Sequence, residues 1–122
     1  MRRDEMRKVL VVDDDKGFRD IVRIAAGRKG WEAVTYPQWN SAIGGLEKKE
    51  FTLIVCDYEL QNDTALDLLK YMKSKNLSIP VIVVSASEDE KYRENALRAG
   101  AKEFYDKFDL KLQVIYEWLE YY

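Results

Sequence analysis

At 122 residues, with 47% hydrophobic and 34% charged side chains, the chain has material for one compact domain around one core and no room for a second. Its formal net charge of −2 supplies no broad basic field to hold nucleic acid, and no apolar run approaches the roughly 20 residues of a membrane-spanning helix. The chain contains no histidine, which removes Ser-His-Asp triads, Cys-His pairs and histidine-ligated metals, and its one cysteine, Cys56, excludes an intrachain disulfide and fits a reducing, cytoplasmic setting.

The first seven residues are charged and lack the apolar stretch of a secretory signal, so they are expected to form a flexible extension of a single domain spanning 1–122. Residues 8–12 contain the β-branched run Val9-Leu10-Val11-Val12 and predict a buried strand that ends at Asp13-Asp14-Asp15. A helix is predicted over 16–28, with Phe18, Ile21, Val22 and Ala25 at helical spacing and Gly30 to end it. A second strand is expected at 31–36 and a short second helix at 40–48. Residues 52–56 read as a third strand, Leu53-Ile54-Val55, which leads through Cys56 to Asp57. The third helix, 64–74, carries Leu66, Leu68, Leu69 and Met72. A fourth strand at 80–85 precedes a polar helix at 88–99 that closes at Gly100, and a fifth strand at 103–105 precedes an aromatic-rich helix at 110–121.

No repeat, low-complexity tract or linker interrupts this alternation, which argues for a parallel α/β sheet with helices on both faces. The flavodoxin-like strand order 2-1-3-4-5 is the common solution at this size. Sheets of this kind present ligands at the carboxyl ends of their strands, so Asp13, Asp14 and Asp57 are expected to converge on one crevice. Three carboxylates there repel one another unless a cation joins them, and an all-oxygen, highly charged site suits Mg²⁺ rather than Zn²⁺.

Four stretches, in order, resemble the receiver domain of two-component response regulators, and the resemblance covers essentially the whole chain. They are Lys8 to Asp15, Leu53 to Asp57, Val81-Ile82-Val83-Val84-Ser85-Ala86, and Ala99-Gly100-Ala101 followed by Phe104 and Lys107. The resemblance implies that Asp57 is the phospho-acceptor, receiving a phosphoryl group from a sensor histidine kinase or a phosphotransfer protein. It implies Mg²⁺, or Mn²⁺ in its place, held by Asp14, by Asp13 directly or through water, by Asp57 and by the backbone carbonyl of Glu59. It further implies Ser85, the backbone N–H of Ala86 and Lys107 as phosphoryl-binding groups, and Phe104 as the switch aromatic. The output surface would be the fourth helix, fifth strand and fifth helix, offered to a downstream protein or to a second copy of the chain, and the domain would be no enzyme beyond slow self-dephosphorylation. The phosphoryl chemistry agrees independently, since it needs an oxygen nucleophile, a divalent cation and donors for three equatorial oxygens.

Blander readings stand beside these. Asp15 reads better as a helix cap than as a ligand, Cys56 as a small buried hydrophobe, and Trp31, Trp39 and Trp118 as packing residues. Three positions depart from the receiver pattern: Gln61 where a proline is usual, Ala65 where a glycine is usual, and Phe108 where a proline follows the lysine. These predict a different turn over 60–64, a trans Lys107–Phe108 bond and a shifted start of the last helix, and they motivate the alternative of a receiver that signals without phosphorylation. An Asp-nucleophile phosphatase of the haloacid-dehalogenase type fits poorly, because Glu59 stands where its second aspartate belongs and no cap domain is present. No effector follows Tyr122, so the chain is expected either to act alone through protein contacts or to be the receiver part of a longer protein. In the last helix Leu112, Ile115 and Leu119 form one apolar stripe and Val114, Trp118 and Tyr121 another, so one of the two is a candidate exposed patch.

Overall fold

The structure is a computed structural model, and it describes residues 6–122. Residues 1–5 of the expected N-terminal extension therefore lie outside the described residues, whereas Arg7 is already engaged, its carbonyl accepting from Glu32 N at 2.9 Å. Five strands, β1 (Lys8–Val12), β2 (Glu32–Tyr36), β3 (Leu53–Asp57), β4 (Val81–Ser85) and β5 (Glu103–Asp106), form one parallel sheet in the order 2-1-3-4-5. Five α-helices connect or follow them: α1 (Lys16–Arg28), α2 (Ile43–Glu47), α3 (Ala65–Ser74), α4 (Glu90–Arg98) and α5 (Leu112–Tyr121).

The period-2 alternation of the strands divides the core into two layers. Leu10, Val12, Ile54, Cys56, Val81, Val83 and Phe104 pack against α2, α3 and α4. Val9, Val11, Leu53, Val55, Ile82 and Val84 pack on the other face, against Phe18, Val22, Ala25 and Ala26 of α1 and Ile115, Trp118 and Leu119 of α5. The strands β3 and β4 are buried along their whole length, as a parallel sheet covered on both faces requires. Trp31 and Trp118 are core residues, and the Trp31 indole donates to Leu119 O at 3.0 Å, which ties the start of β2 to the end of α5.

The ends of the elements follow local chemistry that periodicity does not carry. Asp15 caps α1 by accepting from Gly17 N and Phe18 N, as the cap reading expected. Thr64 and Asp67 form a capping box on α3, and Asp89 caps α4, so α4 starts at Glu90 rather than at 88. The expected second helix at 40–48 is a 3-10 turn, Trp39–Ala42, continued by the short α2, consistent with two consecutive glycines that weaken regular helix. Helix α5 starts at Leu112 instead of 110, because Asp106 Oδ1 accepts from Phe108 N at 2.8 Å and holds the preceding residues in a turn. No cis peptide bond occurs among the described residues, so the Lys107–Phe108 bond is trans as expected. Ala65 is the buried first residue of α3, a position that does not call for glycine. The two apolar stripes of α5 are not separate faces: Ile115, Trp118 and Leu119 are buried, while Leu112 and Tyr121 at its two ends are exposed.

Gly44 and Gly45 are adjacent in α2 but differ in surroundings. A Cβ on Gly45 would lie 2.9 Å from Phe51 Cε2 and 3.1 Å from Glu50 Oε2, whereas one on Gly44 would meet nothing within 4 Å. Gly45→Ala is expected to destabilise the domain by about 1–3 kcal/mol through overpacking against the buried Phe51 ring. Gly44→Ala is expected to stabilise it by about 0.5–1 kcal/mol through helix propensity. Urea denaturation midpoints of the two variants check the opposite signs.

Candidate functional site

Strands β1 and β3 lie side by side, Val12 opposite Cys56, so the residues that follow them emerge together at the carboxyl edge of the sheet. Asp13 and Asp57 are buried and Asp14 is exposed, and carboxylate oxygens of the three lie within 4.8 Å of one another. Asp13 is held in place from several sides: its N–H donates to Tyr36 O at 3.0 Å, its Oδ1 accepts from Asp15 N at 2.9 Å, and its carbonyl accepts from the Arg19 guanidinium at 2.7 Å. Arg19 is a site neighbour that the sequence reading did not single out; its position one turn into α1, facing back over the β1–α1 loop, was the available signal.

Lys107 follows β5 and extends the β4–β5 ladder by one bond, its N–H donating to Ser85 O at 2.8 Å. Its Nζ lies 2.7 Å from Asp13 Oδ2 and 3.5 Å from Asp57 Oδ2, with the side chain largely enclosed. The Asp13 contact is one of charge rather than an aligned hydrogen bond, since Asp13 Oδ2 has no donor in hydrogen-bond geometry. The same ammonium sits 4.9 Å from the centre of the Phe18 ring on α1. One lysine thus contacts both buried carboxylates.

Burial raises the Asp57 carboxyl to about 7; the Asp13 charge pushes in the same direction and Lys107 only partly offsets it. Burial likewise raises Asp13 above the ordinary carboxylate value in spite of Lys107. For Lys107, burial pulls downward, but Asp13 and then Asp57 outweigh it, so the ammonium stays charged. Negative charge therefore exceeds what the protein itself neutralises, and the donor set is oxygen alone. Both properties fit a hard divalent cation such as Mg²⁺.

A cavity of about 460 Å³ opens beside these groups, lined by Asp14, Asp57, Glu59, Ser85, Ala86 and Ser87. Glu59 forms an isolated bridge with Thr64 whose bonds are made by its neighbours, Ala65 N to Tyr58 O and Leu60 N to Asp63 O. The bridge thus leaves the Glu59 carbonyl outside the pairing. The buried Ser85 hydroxyl accepts from Ser87 N at 3.0 Å and keeps its single proton to donate.

Phe104 is buried on the sheet face toward which Ser85, by strand parity, also points. Arg93 of α4 holds Phe104 twice, its guanidinium 5.1 Å from the ring centre and also donating to Phe104 O at 3.3 Å. The residue after Asp57, Tyr58, stacks on Tyr92 of α4 with ring centres 4.1 Å apart and planes 10° from parallel, and its hydroxyl accepts from Asn95. Arg93 and Tyr92 were not anticipated; their only sequence signal was their spacing of three and four residues from Ala96, the buried residue of α4. Cys56 is fully buried and its thiol is pushed well up by burial and by the Asp57 charge, so it acts as a small hydrophobe.

Residues 9–116 match the profile of the response regulator receiver domain. The chain is 30% identical over 99 residues to the probable transcriptional regulatory protein TcrX of Mycobacterium tuberculosis, covering 81% of this chain and 42% of that protein. It is 27% identical over 103 residues to the phosphate regulon transcriptional regulatory protein PhoB of Escherichia coli, covering 83% of this chain and 45% of that protein. The chain thus spans less than half the length of these two relatives. Its fold matches a CheY-like receiver domain protein from Methanospirillum hungatei JF-1 with a TM-score of 0.84 at 20% identity, covering 95% of this chain and 92% of the other. It also matches the beryllofluoride-activated NtrC4 receiver domain dimer with a TM-score of 0.85 at 21% identity, covering 95% of each.

The chain belongs to the receiver domain family of two-component response regulators. Receivers are signalling domains, generally not enzymes, that typically bind Mg²⁺ at an acidic pocket and interact with histidine kinases and downstream effectors. No helix among the described residues is long and apolar enough to cross a membrane.

The raised Asp57 carboxyl has a consequence for stability. The folded state keeps a proton on it up to about pH 7 that the unfolded chain has already released. Metal-free protein is therefore expected to lose stability as pH rises from about 4 through 7, by on the order of 4 kcal/mol for this group, a slope that Asp57→Asn reduces. Urea midpoints taken across that range in the presence of a chelator check it, and equal slopes for the two proteins would contradict it.

Proposed function

We propose that Asp57 is the phospho-acceptor of this receiver, taking a phosphoryl group from a phosphohistidine on a sensor histidine kinase or phosphotransfer protein. The observation that carries this reading is the convergence of Asp13, Asp14 and Asp57 within 4.8 Å, with the Lys107 ammonium on the two buried members. In the transfer, an Asp57 carboxylate oxygen forms the new P–O bond while the P–N bond of the donor breaks. The donor imidazole leaves with the bonding electron pair.

The carboxylates of Asp13, Asp14 and Asp57 and the backbone carbonyl of Glu59 would hold Mg²⁺, or Mn²⁺ in its place. When bound, the ion supplies positive charge against the phosphoryl oxygens. Lys107, whose Nζ lies 3.5 Å from Asp57 Oδ2, contributes a further positive charge. The Ser85 hydroxyl and the Ala86 N–H line the adjoining cavity and are the donors available to the remaining oxygens. Burial of Asp57 raises its basicity, which makes the ionised form a better nucleophile, while Lys107 favours that form.

The product carries about two negative charges where a single carboxylate stood. Ser85 would leave the Ser87 N–H for the phosphoryl group and vacate space on the face it shares with Phe104. The Phe104 ring, already turned inward under Arg93, would shift into that space and reset the surface of α4, β5 and α5 for a downstream protein or a second copy. The domain would act in the cytoplasm, with no catalytic turnover beyond slow hydrolysis of its own phosphoaspartate. Gln61, Ala65 and Phe108 favour a receiver that works without phosphorylation; against it, Asp14, Asp57 and Ser85 line one cavity and Lys107 Nζ lies 2.7 Å from Asp13 Oδ2.

Incubation with a small acyl phosphate and Mg²⁺ is expected to add one phosphoryl group per chain. Chelation or Asp57→Asn should abolish this labelling, and labelling of the Asn variant would defeat the assignment. Beryllofluoride with Mg²⁺ should give a saturable change in tyrosine and tryptophan fluorescence, and a flat titration would favour the phosphorylation-independent alternative.

A further inference from the structure

Glu103 opens β5 at the opposite end of the sheet from Asp57. Its carboxylate accepts from two phenols, Tyr105 on the same strand and Tyr122 just beyond α5, the latter at 2.6 Å. Around it the Tyr105 and Trp118 rings lie 5.2 Å apart, and Tyr121 meets Tyr122 edge-on at 4.8 Å. These four rings, with Glu103 and Glu117, line a cavity of about 440 Å³ that is open to the surface.

Three independent features of this cavity favour a cation. Two carboxylates border it; the aromatic faces carry negative quadrupole potential; and the carbonyl end of α5 contributes a partial negative charge. Burial and then the neighbouring Glu103 raise the phenols of Tyr105 and Tyr122, so both remain neutral hydrogen-bond donors to its carboxylate. The exposed Lys102 also lines the cavity, one positive charge against the two carboxylates. The bond from Tyr122 to Glu103 can be read simply as a tether for the end of α5. That reading leaves Tyr121 unaccounted for, a large ring 82% exposed beside an exposed Glu117.

We propose that this cavity binds a guanidinium group, the side chain of an arginine presented by a partner protein. Guanidinium is planar and weakly hydrated; it stacks on aromatic rings and pairs with a carboxylate through two parallel N–H bonds, which the compact ammonium of lysine cannot do. An exposed tyrosine beside a buried tryptophan is the kind of surface in which such an arginine becomes the anchor of an interface. The site shares no residue with the Asp57 cavity, so it stands whether or not Asp57 is phosphorylated.

The test is a titration of the whole ¹⁵N-labelled chain at low ionic strength with the peptide acetyl-Ala-Arg-Ala-amide. Its counterpart with neutral citrulline in place of arginine, and free agmatine, are run in parallel. The arginine peptide should give saturable shifts confined to residues 102–105 and 117–122. Citrulline in the peptide, or Glu117→Gln at its exposed position in the protein, should weaken binding by about fivefold or more. Asp57→Asn should bind like the wild type, which separates this site from the phosphoryl site. Equal binding of the citrulline peptide, an unaffected Glu117→Gln variant, shifts elsewhere or no saturation would overturn the proposal. Agmatine bound more tightly than the peptide would overturn its assignment to a polypeptide partner.

Discussion

Two carboxylates are buried at the ends of adjacent parallel strands with one lysine between them, and this charge imbalance organises the molecule. Asp13 and Asp57 cannot both sit comfortably ionised beside each other, and the single Lys107 ammonium, 2.7 and 3.5 Å away, compensates only part of the repulsion. A site in this state gains from a divalent cation and from a ligand that lets the lysine and the cation share negative oxygens. The two parallel strands hold the carboxylates there, because Val9 to Val12 and Leu53 to Cys56 are locked in register and buried on both faces. The core thus holds in place an arrangement that is electrostatically unfavourable without a ligand.

Strand parity connects that site to the outside. Asp13 and Asp57 continue the residues that face α1 and α5, the side from which Phe18 contacts the Lys107 ammonium. Ser85 and Phe104 belong to the opposite layer, under α4. The strand ends thus bring groups of both layers together, Lys107 from one and Ser85 from the other. Helix α4 is fastened to this region at two points, Tyr92 on Tyr58 and Arg93 on Phe104. The far end of β5 carries a different chemistry, the Glu103 tyrosine cluster, physically separate from the acidic site yet built on the same strand and on α5.

Much of this was legible in the residues. The continuous apolar runs ending in acids and the absence of histidine point to one parallel sheet with an oxygen-ligand site, the offset from Gly100 to Phe104 and Lys107 adds the resemblance to receivers, and the strand order 2-1-3-4-5 agrees. Asp15 as a cap and Cys56 as a small core residue were equally readable, because a cap and a buried run are local properties. The start of α5 and the split second helix were read less well. They turn on a single side-chain bond from Asp106 and on the Gly44-Gly45 pair, which periodicity averages away.

The sequence by itself determined which residues are strand, helix and acidic terminus, since hydrophobic period and capping chemistry act over a few neighbouring residues. Only the tertiary structure decided that Lys107 contacts both buried carboxylates, that Arg93 holds Phe104 and that four rings line one cavity with Glu103 and Glu117. The first joins the two ends of the chain and the others join successive elements, but in each case the geometry comes from how the sheet registers and the helices pack, which no local pattern of residues encodes.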